Sequence, residues 1–577
     1  MEEIRAQAYQ QLIETLLTCP NGEEPQILQD NLELVDSEFL QVCEVVAEKL
    51  AEEGQENHAN FLRNLASQIG QLLEINDDGD RENSEGEKPQ EYANFILELL
   101  QAEQDSNSDI KVIYPMLAGR QHLLNDRFAE ILQQVAQTLI ADENSEEIAL
   151  IVALIENLSI HINDLPQGSR ANNLEIAITG YQIVLNNREP GSEKFAQTQN
   201  NLAAAYTERI RGEKAQNIEL AIASYTAALS VYTRDAFPEY WAMTQNNLAA
   251  AYRNRIRGEK AQNIELAIAS YTAALTVRTR EAFPEKWATT QNNLANAYSN
   301  RIKGEKAQNI EVAIASYTAA LTVRTREAFP EKWATTQNNL ANAYNYRIRG
   351  EKAQNIELAI ASYTAALTIY TRDAFPEDWA STQNNLANAY SNRIRGEKAQ
   401  NIEVAIASYT AALSVYTREA FPEQWASTQN NLANAYTERI RGEKAENIEV
   451  AIASYTAALT IYTRDAFPEQ WASTQNNLAI AYSDRIRGEK AENIEVAIAS
   501  FTAALSVYTR DAFPEQWAEM QNNLANAYCD RIRGEKAQNI ELAKKCYHNA
   551  LKIRTGEALP QEHTEALYNL GDFDQSN

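Results

Sequence analysis

Residues 238–283 read PEYWAMTQNNLAAAYRNRIRGEKAQNIELAIASYTAALTVRTREAF, two helical patterns joined by a turn. Pro238 and Glu239 stand where a helix begins. A proline's missing N–H is harmless there, and a carboxylate suits the positive end of the helix dipole. Trp241, Leu248, Ala249, Tyr252 and Ile256 then recur at helical spacing and predict the buried side. Arg255 and Arg257 suit the opposite end of the dipole, and Gly258 supplies a stop in the left-handed conformation. In the second pattern Asn263 is the expected cap, and Ile264, Ala267, Ile268, Tyr271, Ala274 and Leu275 predict the buried face. Ala249, Ala267 and Ala274 are small enough to let helix axes approach closely.

The stretch recurs. Trp241, Trp287, Trp333, Trp379, Trp425, Trp471 and Trp517 are each 46 apart, and Gly212, Gly258, Gly304, Gly350, Gly396, Gly442, Gly488 and Gly534 keep the same step. Phe195 stands one period before the first tryptophan, so eight repeats run from about Ser192 to about Arg554. One such unit cannot bury its apolar side alone, whereas stacked units share a continuous core. The expected fold is therefore all-α, a solenoid of helix-turn-helix repeats.

The rest of the chain is divided by composition. Residues 1–165 hold 34 Asp and Glu against 8 Lys and Arg, a net of −26; the remaining 412 residues carry 46 and 43, a net of −3. Residues 1–75 are expected to form a helical subdomain, 76–90 an acidic flexible linker and 91–165 a second helical subdomain. Helices are predicted at Ile4–Thr18, Ser37–Glu53, Asn57–Glu74, Tyr92–Gln104, Asp126–Ala141 and Ser145–Ile160. A capping helix is expected within 166–191, before the repeats at 192–555. A second, near Pro560–Phe573, is expected within 556–577, because terminal repeats need an atypical outer face.

The overall net charge of −29 argues against nucleic acid or an anionic membrane as the partner of the whole surface. Cys19, Cys43, Cys529 and Cys546 form no CxxC pair, which fits neither a disulfide framework nor a zinc site. The polar, acidic start is unlike a signal peptide, and the most apolar stretch, Ile148–Ile160, is too short to span a bilayer. A cytoplasmic location is expected.

Asn293-Leu294-Ala295-Asn296-Ala297-Tyr298 resembles the first-helix consensus of the tetratricopeptide repeat family, with alanine in place of the usual glycine. Ala313-x3-Tyr317-x2-Ala320-Leu321 resembles its second-helix consensus. The unit is longer than the standard repeat. It is similar to the extended repeats of kinesin light chains and to cyanobacterial repeat proteins, many of which end in a caspase-like CHAT protease domain. The resemblance covers about residues 166–575. It implies a right-handed α-solenoid whose first helices line the concave face. The chain ends with its last half-repeat, so the protease chemistry is not expected here.

On that face the resemblance places an asparagine ladder: Asn246, Asn292 and Asn296, Asn338 and Asn342, Asn384 and Asn388, Asn430 and Asn434, Asn476, Asn522 and Asn526. A spacing of four puts each pair on one side of its helix. An amide carries a donor and an acceptor, so a ladder can grip an extended peptide backbone; the same amides can also tie neighbouring helices together. Half a dozen hydrogen bonds at roughly 1 kcal/mol each, less the cost of ordering a peptide, imply micromolar-class binding or weaker. Specificity is expected where the repeats differ, at Arg253, Asn300, Tyr346, Asn392, Glu438, Asp484 and Asp530. The tryptophans are expected in the core. The Arg-Ile-Arg-Gly-Glu-Lys turns draw a basic stripe along one edge, suited to helix-end electrostatics or to docking of the acidic residues 1–165.

No GxGxxG, P-loop, HExxH or GxSxG is present, and the five histidines stand in no recognisable catalytic motif. No enzyme activity, metal or cofactor is expected. The function expected first is a non-catalytic scaffold or adaptor that holds a protein or peptide ligand. A regulatory partner of a caspase-like (CHAT) or other signalling effector is the alternative, and a small-molecule sensor the third.

Overall fold

The computed structural model describes residues 89–141 and 144–553, a helix at Ser37–Glu52 and scattered positions before residue 63. The helices expected at Ile4–Thr18, Asn57–Glu74 and Pro560–Phe573, and most of the 76–90 linker, lie wholly or partly outside the described residues. The chain divides into two compact units, Met1–Asn187 and Arg188–Asn577.

The first unit contains α1 (Ser37–Glu52), α2 (Pro89–Asp105), α3 (Ile110–Gly119), α4 (Asp126–Ala141), α5 (Ser145–Asp164) and α6 (Arg170–Asn186). Asn144 caps α5 by accepting from the backbone N–H of Glu146 and Glu147. The sequence did not announce α3, because Pro115 sits inside it. A helix of only ten residues survives there with Asp109 accepting from the Lys111 N–H at its start. Phe95, Leu99, Ile113, Leu117, Phe128, Ile155 and Leu158 form the core between α2 and α5. Helix α6 crosses α5 so closely that a Cβ at Gly180 would come within 1.9 Å of the Ser159 hydroxyl.

The second unit is a stack of helix pairs. The first helices are Glu193–Glu208, Pro238–Asn254, Pro284–Ser299, Pro330–Asn345, Pro376–Ser391, Pro422–Thr437, Pro468–Ser483 and Pro514–Cys529. The second helices are Lys214–Leu229, Lys260–Leu275, Lys306–Leu321, Lys352–Ala366, Lys398–Leu413, Lys444–Leu459, Lys490–Ala504 and Lys536–Leu551. From the second repeat onward proline opens the first helix, as its fixed φ and missing N–H allow. Gly258 ends the turn with φ at 77°, a region that penalises any side chain.

Two local expectations need correction. The helix from Pro238 ends at Asn254, so Ile256 lies in the turn and is 60% exposed rather than buried. Asn263 is not a cap, since its helix already starts at Lys260. Its Nδ2 instead donates to the carbonyls of Arg255 and Arg257, at 3.4 and 2.9 Å, and closes the turn from inside.

The core is shared between repeats. Ala295 of one first helix and Ile310, Ala313, Ile314 and Tyr317 of the next second helix pack with Leu340 and Ala343 of the repeat that follows. The half-buried tryptophans fill a smaller cluster at the other end of the pair, where Trp333 and Trp379 meet Ala334, Ala366 and Tyr370. A latch adds to this packing. Arg347 donates from Nε and Nη2 to the two oxygens of Glu311, both at 2.8 Å. The same bidentate pair forms seven times, from Arg255 with Glu219 to Arg531 with Glu495.

Bonding to Arg347 holds the Glu311 carboxyl below its usual value of 4.5. A depressed carboxylate stabilises the folded state above its unfolded pKa and loses that contribution as pH falls through the folded one. Glu311→Gln should therefore cost about 1 kcal/mol near neutrality. Amide hydrogen exchange in Lys306–Leu321 and Pro330–Asn345 should quicken about five-fold at pH 7, and the difference from wild type should vanish well below pH 4.5. Gly180→Ala should melt the first unit at lower temperature by forcing α5 and α6 apart, measurable by calorimetry.

Candidate protein-interaction face

The asparagine ladder lies on the first helices, and the structure gives its amides two different ties. At the earlier position, the Asn338 oxygen accepts from the Thr382 hydroxyl at 3.3 Å, one repeat further on. Asn246, Asn384 and Asn430 accept in the same way from Thr290, Thr428 and Thr474. Asn292 and Asn476 accept instead from the Nδ2 of Asn339 and Asn523. Asn522 is buried with its oxygen unpartnered. At the later position, Asn296, Asn342, Asn388, Asn434 and Asn526 accept from the hydroxyls of Tyr317, Tyr363, Tyr409, Tyr455 and Tyr547, on the second helix of their own repeat.

Apart from Asn522, these ties engage the oxygen of each ladder amide. Among the described residues no acceptor stands within hydrogen-bond distance of the Nδ2 groups of Asn338, Asn342, Asn384 and Asn388, and these groups are not buried. The row therefore offers donors held in place by their own oxygens. The sequence suggested a donor and an acceptor at each step; the structure leaves the donors.

The interruptions of the ladder reveal the tyrosine tie. Ile480 replaces the later asparagine in the seventh repeat, and there Phe501 replaces the tyrosine. Ala250 replaces it in the second repeat, where Tyr271 is kept and its buried hydroxyl has no partner. The joint change at 480 and 501 was visible in the sequence.

The positions chosen for specificity gather at the C-terminal ends of the first helices. Asn300, Tyr346, Asn392, Glu438, Asp484 and Asp530 are all exposed C-cap residues, Tyr346 at 67%. Arg253 stands one residue out of register with them, inside its helix. Asn300 and Asn392 turn their amides back onto the carbonyls of Asn296 and Asn388, both at 3.0 Å. Glu438 meets Lys398 at 3.1 Å.

The basic edge is thinner than the sequence suggests, because the first arginine of each Arg-Ile-Arg turn from Arg255 onward is taken up by the latch. Between the basic residues runs a row of exposed isoleucines, from Ile210 to Ile532. Among the described residues no helix is long and apolar enough to cross a membrane, and no cluster of His, Cys, Asp and Glu could hold a metal ion.

Stacked pairs of helices with a repeated polar face define a helical-repeat protein. Residues 425–459 match the family model for the tetratricopeptide repeat. That window spans one first helix, one turn and one second helix, and the same unit recurs along the second compact unit. The second compact unit is an α-solenoid of such helix pairs, and the stretch 425–459 within it is a tetratricopeptide repeat by sequence. No curated protein matches the chain. Among solved structures it is similar to a Signal Transduction ATPase with Numerous Domains protein with a tetratricopeptide repeat sensor from Pyrococcus horikoshii, at 14% identity over 83% of this chain and 75% of that one, with a TM-score of 0.46. It is also similar to the APC/C hetero-tetramer Cut9-Hcn1, at 15% identity over 96% and 98% of the chains with a TM-score of 0.37. Yeast Tom70 is similar at 14% identity over 93% and 96%, with a TM-score of 0.34.

The tyrosine tie makes opposite predictions at two equivalent positions. Tyr363→Phe should cost about 1 kcal/mol by orphaning Asn342, while Tyr271→Phe should be neutral or stabilising because it removes an orphaned hydroxyl. Thermal melts of the two variants, with Ala250→Asn as the restoring change, check the sign at each position.

Proposed function

We propose that this protein is a non-catalytic scaffold that holds a peptide or protein segment along the face of its first helices. The observation that carries the reading is the row of outward amide donors at Asn338, Asn342, Asn384 and Asn388, each fixed by a hydroxyl on its oxygen. A fixed donor loses little rotamer entropy when a carbonyl arrives, so weak bonds add more efficiently than on mobile side chains. An extended segment presents carbonyls in series, and the ladder suits that periodicity in kind. On the exposed side of the second helices stand Ala361 and Ala407. The C-cap residues, which differ between repeats, would choose among segments.

Alanine replacement of the ladder would test two roles at once, because each amide also ties helices. The cleaner test inserts bulk and charge beside the ladder. Asn385→Arg with Asn431→Arg on the first helices should abolish capture of a partner from native lysate. Ala361→Arg with Ala407→Arg on the second helices should leave it intact, circular dichroism showing both variants folded. Capture retained by the first variant and lost by the second would move the interaction to the opposite face.

A further inference from the structure

Seven loops lead from a second helix into the first helix of the next repeat, from the second repeat to the eighth. Five carry a buried tyrosine just after the helix: Tyr232, Tyr370, Tyr416, Tyr462 and Tyr508. The ring packs at a steep angle against the following phenylalanine, as Tyr416 does edge-on against Phe421 at 5.5 Å, and the hydroxyl of Tyr370 bonds Thr335 at 2.7 Å. In the remaining two loops the residue is Arg278 or Arg324.

Both arginines are buried, at 8% and 5% exposure. Arg278 donates from Nη1 to the Thr290 hydroxyl at 3.1 Å. Arg324 donates from Nη1 to Thr336 at 3.1 Å and from Nη2 to Thr289 at 2.8 Å, while its buried Nε has no acceptor. A guanidinium has five N–H donors; the sealed Nε of Arg324 goes unmet, and the remaining donors of Arg278 are left to solvent. Among the described residues neither has a carboxylate within ion-pair distance. Glu285, whose charge reaches both, is held by Lys332 at 2.6 Å and by the Thr289 hydroxyl at 3.1 Å. A buried cation without an anion is costly, and tyrosine at the same place avoids the cost.

The surrounding charge follows the same boundary. The segments 278–287 and 324–333 each carry three basic and two acidic side chains, a net of +1. The equivalent segments 232–241, 416–425, 462–471 and 508–517 are each −1, and 370–379 is −2. Two consecutive repeats thus make a cationic island in an acidic row. The island adjoins the ladder, because the Thr290 hydroxyl that receives Arg278 stands 3.2 Å from the Asn246 oxygen, with the Lys286 carbonyl as a second acceptor at 2.9 Å.

We propose that Arg278 and Arg324 form an anion-accepting step on the first-helix face, which takes carboxylates of an acidic segment of the partner protein. This rests on the scaffold reading above and names the chemistry of its ligand. An incoming carboxylate supplies an acceptor to the guanidinium N–H groups still open to solvent, and the low exposure of both side chains strengthens the pair. The outward amide donors of the following repeats continue the row toward backbone carbonyls.

The test uses the full chain and a fluorescein-labelled peptide of six glutamates flanked by Gly-Ser, with its glutamine counterpart, read by anisotropy at low salt. Wild type should prefer the glutamate peptide at least ten-fold. Arg278→Tyr with Arg324→Tyr should reduce the preference to two-fold or less and raise the melting temperature, since five loops already accept tyrosine. Arg280→Gln with Arg326→Gln removes the same formal charge from exposed positions in the same loops and should keep most of the preference. An unchanged preference in the tyrosine variant would overturn the proposal, as would an equal loss in the glutamine variant, which would mean bulk charge. A lowered melting temperature with unchanged binding would make the arginines structural, and a phosphoserine peptide bound ten-fold tighter than the glutamate one would overturn the choice of carboxylate. If these fail while Asn385→Arg with Asn431→Arg still blocks partner capture, only the acidic ligand is lost and the scaffold reading stands.

Discussion

Each repeat of this protein owns only part of its core. The second helix offers Ile310, Ala313, Ile314 and Tyr317, and the cluster closes only when Leu340 and Ala343 of the next repeat arrive. Every other feature of the second unit follows from that sharing. Fully buried alanines at 295 and 313 bring the helix axes close enough for the large residues to interlock. The turn must then be short and fixed, which Gly304 and Asn309 achieve together: the glycine takes the left-handed conformation, and the asparagine donates to the Lys303 carbonyl at 2.9 Å. Only with the turn so placed does Arg301 meet Glu265 of the preceding repeat, at 2.8 Å. Stability in such an array is a sum over neighbours, so the local strength of one junction can be altered without dismantling the rest.

Much of this was legible in the sequence, because the period of 46 survives in tryptophan and glycine and the helical pattern survives within each period. The failures have a physical cause in common. Periodicity counts apolar residues but does not know where the backbone leaves the helix. Ile256 kept helical spacing with Tyr252 although the helix had already ended at Asn254. Asn263 looked like a cap because its type favours caps, yet Lys260 had already begun the helix. Pro115 concealed α3 by the same logic in reverse, since a proline in a short segment reads as a breaker.

Contacts across repeats were harder to foresee than elements. Arg347 and Glu311 are 36 residues apart, a separation that is neither one period nor within one helix. Read singly, each is an ordinary surface charge. Their constant separation in seven copies was the available signal, and only the fold explains why that separation brings them together. The ladder was found as a face, but its oxygens were committed elsewhere. The exchange of both Asn for Ile480 and Tyr for Phe501 in one repeat marks that commitment. A polar pair lost together leaves no buried group unsatisfied, whereas Ala250 opposite Tyr271 leaves one.

The same reasoning about unsatisfied groups separates structural polarity from functional polarity here. Most oxygens of the ladder and the latch arginines have found partners inside the fold, so those contacts are explained by stability. The donors left over at Asn342 and Asn388 cost nothing while water serves them. Arg278 and Arg324 are different, because both are largely buried, and the Nε of Arg324 is sealed from water with no acceptor. Folding alone would favour the tyrosine that five other loops use. A residue that weakens its own junction, confined to two neighbouring repeats and aligned with a reversal of local charge, is one whose missing partner comes from outside the chain.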